Sequence, residues 1–213
     1  SALYDVTKDF TFSGTAAAAR TDAGKTTMGL TKDQFTNTNK NFGTVTFNVT
    51  DGYQEIKPID VTVTVVGAND TSDYDGKEHK VSGYTATANS SLYDVTKDFT
   101  FNSTKLAART NVGTTDMGLK AEQFVNTNTN FGTVTFDVTD GYQKIEAISA
   151  KVTITEHSDE KDYDGAEHTV TGYDVTSISN PLYTKDDFTF SGNDSVSGTN
   201  ATSYDMEQKA SDF

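Results

Sequence analysis

Two pairs of adjacent side chains carry the acid–base chemistry most often met in enzymes, Glu78-His79 and Glu167-His168. Neighbouring residues on a strand point to opposite faces, so a glutamate and an imidazole at this spacing cannot relay a proton without a bend. No third partner follows, and neither His-x-x-x-His nor Glu-x-x-His occurs. A histidine that stabilises a turn is the better reading, and no catalytic residue is assigned. Just upstream, Asp73-x-Asp75-Gly76 and Asp162-x-Asp164-Gly165 open like a calcium loop. The later oxygen ligands and the acid at the twelfth position do not follow. Asp73, Asp75, Asp162 and Asp164 are thus candidate calcium ligands, weighed against solvated acidic turns, and no other cofactor is expected. A third constellation is a Lys–Asn isopeptide bond, which requires a lysine, an asparagine and a carboxylate in one apolar pocket. Lys97 with Asn126 or Asn130 and Glu122 is the set that can be assembled, partly matched by Lys8, Asn37, Asn41 and Asp33. A surface lysine and turn asparagines account for the same letters.

The elements that must position these residues come in copies. Leu3 to Phe12 returns letter for letter as Leu92 to Phe101, an offset of 89 residues, and Leu182 to Phe190 is a third version one residue shorter. A period of this length suits a small domain rather than a solenoid rung. Lys57-Pro58 interrupts a strand pattern, because proline cannot donate into a ladder. Placing the boundary there gives a partial repeat over 1–57, a complete one over 58–146 and a partial one over 147–213. The first lacks its opening hairpin and the last its closing strands, as in a fragment cut without regard to the repeat. With almost no linker between copies, a stiff rod is expected.

Within a copy the patterning predicts mostly strands. Val45, Phe47 and Val49 alternate with threonines and Asn48, the clearest strand signal, matched by Val134, Phe136 and Val138. Ile59, Val61, Val63 and Val65 alternate likewise, matched by Ile148, Ala150, Val152 and Ile154. Thr31 with Gln34 forms a capping-box pattern at the best helix candidate, which is short. Asp75-Gly76 suggests a tight turn closing a hairpin through Val81, and Ser13 to Thr27 reads as strand and loop facing solvent. Tyr4, Tyr53, Tyr84, Tyr93, Tyr142 and Tyr173 form either a sugar-stacking face or, as the pattern favours, core and edge packing.

Composition narrows the function. A net charge of −14 and a pI near 4.4 argue against nucleic acid and anionic lipid as partners. Acidity instead keeps an array soluble and extended. No apolar run reaches the length of a membrane span, and the absence of cysteine fits either a bacterial exported protein or a cytosolic one.

Taken together, Tyr74-Asp75-Gly76 and Tyr163-Asp164-Gly165, the Gly-Tyr pairs at 83–84 and 172–173, the Met-Gly-Leu segments and the Asp-Gly-Tyr closures at 51–53 and 140–142 resemble the YDG/MBG-type repeats of bacterial surface proteins. The resemblance spans essentially the whole chain. It implies a mainly β, α+β fold of tandem small β-grasp-like modules, each a mixed sheet with one short helix; Ig-like sandwich modules are the alternative. It also implies an extracellular stalk or adhesin segment at the bacterial cell wall, not an enzyme, whose neighbours are adjacent repeats. The alternative function is weak binding of a host glycan or glycoprotein by each repeat, with avidity from the array. The last copy departs from the pattern at Tyr204 to Gln208, which puts its helix register and core packing in question.

Overall fold

A computed structural model describes residues 3–213. The first copy contributes β1 (Phe10–Phe12), β2 (Gly24–Thr27), β3 (Phe35–Asn37) and β4 (Tyr53–Ile56). The second opens with β5 (Ile59–Gly67), β6 (Asn69–Asp73), β7 (His79–Ser82), β8 (Tyr84–Ala88) and β9 (Phe99–Phe101). It continues with β10 (Leu106–Arg109), β11 (Gly113–Asp116), β12 (Phe124–Asn126), β13 (Phe131–Thr139) and β14 (Tyr142–Glu146). The third adds β15 (Val152–Glu156), β16 (His168–Thr171), β17 (Tyr173–Ile178) and β18 (Ser195–Gly198). The protein is mainly β, in small antiparallel and mixed sheets.

Strands β5 to β14 pair only with one another. β5 lies between β13, to which it is parallel, and β8, to which it is antiparallel. Beyond a bend, β6 continues β5 and β14 continues β13, again as a parallel pair. By packing, the chain forms two compact units. One takes the residues up to Ala68 with Ser82–Leu106 and Asp116–Gly141; the other takes Asn69–Val81, Ala107–Thr115 and Tyr142–Phe213.

The core of the first unit follows from the alternation in β5. Val61, Val63 and Val65 are buried while Asp60, Thr62 and Thr64 between them are exposed. Their face meets Tyr93, Phe124 and Phe131, with Tyr84, Phe99, Phe101 and Phe136 around them. In the second unit Ile145, Gln143, Ala107 and Met206 are buried. Tyr173, Phe188, Phe190 and Phe213 form an aromatic group there.

Several expectations need correction. Residues 44–50 carry the clearest alternation but form no strand, although their copy is β13. β13 is a strand because β5 lies beside it, and within these 213 residues the first copy has no counterpart of β5. Periodicity sets which face is buried; it does not supply the neighbouring backbone. The hairpin through Asp75-Gly76 is also not formed, since β7 pairs with β10 and β6 with β14. Ser13–Thr27 has no buried residue, whereas its copy does not simply face solvent, because Ala107 is 1% exposed.

In place of a short α-helix there are three-residue 3-10 turns at Lys32–Gln34, Ala121–Gln123, Lys185–Asp187 and Ala210–Asp212. Gln34 Oε1 accepts from Thr31 N at 2.9 Å, and Gln123 Oε1 accepts from Lys120 N at 2.8 Å. Asp187 and Asp212 accept from Thr184 N and Lys209 N, each at 2.7 Å. The reach-back half of the capping box is the part all four share.

The aberrant last copy holds its register: Met206 is 7% exposed, as is Met117. The departure shows in the next residue. Glu207 has φ 58°, where Gly118 has 76° and Gly29 has 74°. A side chain in the left-handed region costs about 1 kcal/mol relative to glycine. Glu207→Gly is therefore expected to raise unfolding free energy by about 1 kcal/mol in urea titrations; no gain would mean the position carries no strain.

Candidate functional site

Each candidate can be placed by what its side chain touches. Asp75 Oδ1 accepts from Lys77 N at 2.9 Å and lies 2.9 Å from His79 Nε2. Asp164 repeats this with Ala166 N at 2.9 Å and His168 Nε2 at 3.0 Å. The imidazole thus closes the turn, and the hydrogen bonds to His79 and to the Lys77 amide hold Asp75 below the usual carboxylate range. Glu78 pairs with Lys80 at 2.7 Å rather than with its neighbouring histidine. Among the described residues no group of three or more His, Cys, Asp or Glu gathers around Asp73 and Asp75 or around Asp162 and Asp164.

The isopeptide set is not brought together. Lys97 Nζ bonds Asp94 Oδ2 at 2.7 Å with its side chain 78% exposed, far from the apolar burial that the bond needs. Lys8 and Asp5 form the same surface pair. Asn126 Oδ1 lies 3.1 Å from the Tyr93 hydroxyl and its Nδ2 donates to Asn128 O at 3.0 Å, while Glu122 is exposed on its 3-10 turn. Asn130 faces the first copy: its Oδ1 accepts from Ala23 N at 2.7 Å and its Nδ2 donates to Asp22 Oδ1 at 3.0 Å. It ties consecutive repeats together within one unit.

The tyrosines divide. Tyr4, Tyr93 and Tyr183 each give the hydroxyl to a main-chain carbonyl four or five residues on. Tyr84 and Tyr173 pack edge-on or tilted in the aromatic groups. Tyr53 is 54% exposed, whereas its copy Tyr142 is half-buried beside β6.

A second recurring device was signalled in the sequence only by the repeated Arg-Thr pair. Arg109 donates from Nε to Asn111 O at 2.7 Å, from Nη2 to Val112 O at 2.7 Å and from Nη1 to Thr114 O and Thr115 Oγ1, both at 3.1 Å. Arg20 clamps Asp22 O, Ala23 O and Thr26 Oγ1 in the same way. A planar fork with fixed donors suits this cluster of carbonyls, and a lysine could not span it.

One titration carries a sign. His157 Nδ1 is 2.8 Å from Thr171 O, and its Nε2 is 3.3 Å from Asp174 Oδ2. The carbonyl first and the carboxylate second raise its pKa above 6.5. A folded pKa above the unfolded one gives stabilisation that is complete below the unfolded value and lost as pH rises through the folded value. The ring is 45% exposed, so the effect is small. The expected result is an NMR midpoint above 6.5 and a slightly steeper loss of thermal stability across it than in His157→Gln. A midpoint at or below 6.5 would refute the pairing.

The least satisfied surfaces are strand edges. Among the described residues, residues 43–50 take no main-chain hydrogen bond. β15 pairs on one side, with β17. Beside β15, Tyr74, Val112, Ile148, Ala150, Leu182 and Tyr183 line much of a groove of about 290 Å³ within the second unit. No family model, curated protein or solved structure matches the chain.

Proposed function

We propose that this chain is a non-enzymatic, tandem-repeat stalk segment of a bacterial cell-surface adhesin, made of β-grasp-like modules that space a distal binding region from the cell wall. The observation that carries the reading is what the recurring polar residues do. Asp75–His79 and Asp164–His168 close turns, Arg20 and Arg109 clamp loops, and Tyr4 and Tyr93 anchor to carbonyls five residues on. Repetition at an 89-residue offset therefore preserves internal bonds, as expected of a part whose task is to hold shape. Asn130 adds a direct tie between consecutive copies. The β-grasp assignment is supported by parallel pairing of the first and last long strands of a copy, β5 and β13. The acidic balance suits an extended, soluble array outside the cell, with neighbouring repeats as its partners.

Small-angle scattering on proteins of two, three and four repeats tests the reading. The maximum dimension should grow by a constant step per repeat, and a compact particle at every length would overturn it. A glycan array on the same series addresses binding: affinity that rises with repeat number would replace the stalk reading with one of host glycan recognition.

A further inference from the structure

We propose that the parallel strands β5 and β13 form a shear clamp, so that a repeat resists tension along the chain as well as holding its shape. The inference rests on the stalk reading for the source of the tension and on strand direction alone for the resistance. The chain enters β5 at Ile59 and leaves β13 at Thr139. Because the two strands are parallel, these points lie at opposite ends of one ladder. Tension on them drives β5 and β13 past each other along their common axis, and the main-chain bonds of the ladder carry it together. A ladder pulled apart from one end yields one bond at a time.

More than the ladder opposes sliding. The register sets Val134 opposite Val61, Phe136 opposite Val63 and Val138 opposite Val65. Val61, Val63 and Val65 are buried in one cluster with Tyr93, Phe124 and Phe131, while Asp60, Thr62 and Thr64 between them are exposed. A slip of one residue would turn the valines to solvent and bring polar side chains under the rings. A slip of two restores the faces only after the ladder bonds have broken. Near the entry, Asp60 Oδ1 accepts from Thr133 N at 2.7 Å and Ile59 N donates to Asn130 O at 3.4 Å, both across the pair. On its other side β5 is held by β8 along Val63–Gly67. Just past β8, Thr62 N donates to Asn89 Oδ1 at 3.0 Å and Asn89 N to Thr62 O at 3.1 Å. From Val63 to Val66, β5 is thus a middle strand that offers water no free edge.

The second unit, taken by itself, repeats the device. β6 and β14 are parallel from Asn69 opposite Tyr142 to Asp73 opposite Glu146. Gln143 is fully buried, and its Nε2 donates to Asp70 Oδ2 at 2.9 Å across that pair. Its tie to the neighbouring strand matches that of Asp60 to Thr133. Equilibrium stability has no direction, whereas resistance to force is a rate that depends on how the bonds are loaded. Direction is therefore what separates a clamp from an ordinary core.

Force spectroscopy on the intact chain tests this. The sequence has no cysteine, so two introduced thiols are the only points of attachment. Lys57→Cys with Thr139→Cys loads the β5–β13 ladder in shear. Lys57→Cys with Thr129→Cys places both handles at one end and peels it. The three positions are exposed and lie in the first unit. With matching urea midpoints, the shear pair should rupture at several times the force of the peeling pair at one pulling speed. Asp60→Ala removes one bond from the set that breaks together and should raise the rupture rate of the shear pair about fivefold at fixed force. Equal forces in the two directions overturn the clamp. An unchanged rate in Asp60→Ala would show that the ladder does not break as a unit, which also overturns it. Either result leaves the scattering test of the stalk reading untouched, and a compact particle in scattering leaves the comparison of directions untouched.

Discussion

Replacing Gly67 or Gly141 by alanine is expected to cost about 3 kcal/mol of unfolding free energy, among the largest single-methyl effects in the protein. The two glycines lie side by side where β5 passes into β6 and β13 into β14. A Cβ on Gly67 would strike the amide nitrogen of Gly141 and come within 2.8 Å of its Cα and 2.9 Å of Leu119 Cδ1. A Cβ on Gly141 would strike Ala68 O and come within 2.9 Å of Gly67 C. The nearest obstacles are main-chain atoms and cannot swing aside, so the strands must part. Parting them strains the bond from Met117 N to Gly141 O at 2.8 Å and the grip of Asp140 on Gly118 N and Leu119 N, both at 2.9 Å. Gly43→Ala is the control, because nothing lies within 4 Å of a Cβ there and its φ is not in the left-handed region. It should be neutral or slightly stabilising. Urea denaturation decides: a Gly67→Ala midpoint equal to that of Gly43→Ala would mean the close approach carries no energy.

The same pair of glycines shows what could be read from the letters. Alternation in Ile59–Val65 marked a half-buried strand, and the buried valines obey it, because side-chain period two is a property of a single strand. Partner choice is a property of two strands. Nothing in Asp75-Gly76 told that the next strand would pair with β10 instead of folding back on β6, and nothing in Val134–Val138 told that its partner would be β5, running parallel to it. The turn chemistry was legible where one residue supplies both the constraint and the bond, as in Asp75 with His79 four residues on. Lys97 shows the opposite: composition grouped it with Asn126 and Glu122, while its ammonium reaches Asp94 three residues away. Arg109 was visible only as a repeated letter, since its acceptors are main-chain carbonyls that no sequence pattern displays. Recurrence at 89 residues found the positions that matter without telling what they hold.

Phe124→Ala and Phe35→Ala test whether identical letters in consecutive copies carry unequal stability. Phe124 is 4% exposed and packs on Tyr84, Phe99, Phe101 and Phe136 at ring distances of 5.2, 5.7, 4.9 and 5.5 Å. Val61, Val63 and Val65 close the cluster from β5. Truncation there leaves a cavity walled on all sides, with an expected loss of about 4 kcal/mol. Phe35 keeps the counterpart rings, Phe10 at 5.7 Å, Phe12 at 4.9 Å and Phe47 at 5.6 Å. It is only half-buried, and the first copy has no valine strand or tyrosine over it within these residues. Part of its surface already meets water, so removing the ring forfeits less transfer free energy and leaves an opening that solvent can enter; about 2 kcal/mol is expected. Denaturant midpoints of the two variants, measured against the parent at one pH, give the comparison. Equal losses would show that the shared aromatic residues alone set the stability of a copy, and that the parallel strand β5 adds nothing to it. A twofold difference would locate the other half of the energy in β5 and the groups it holds over Phe124.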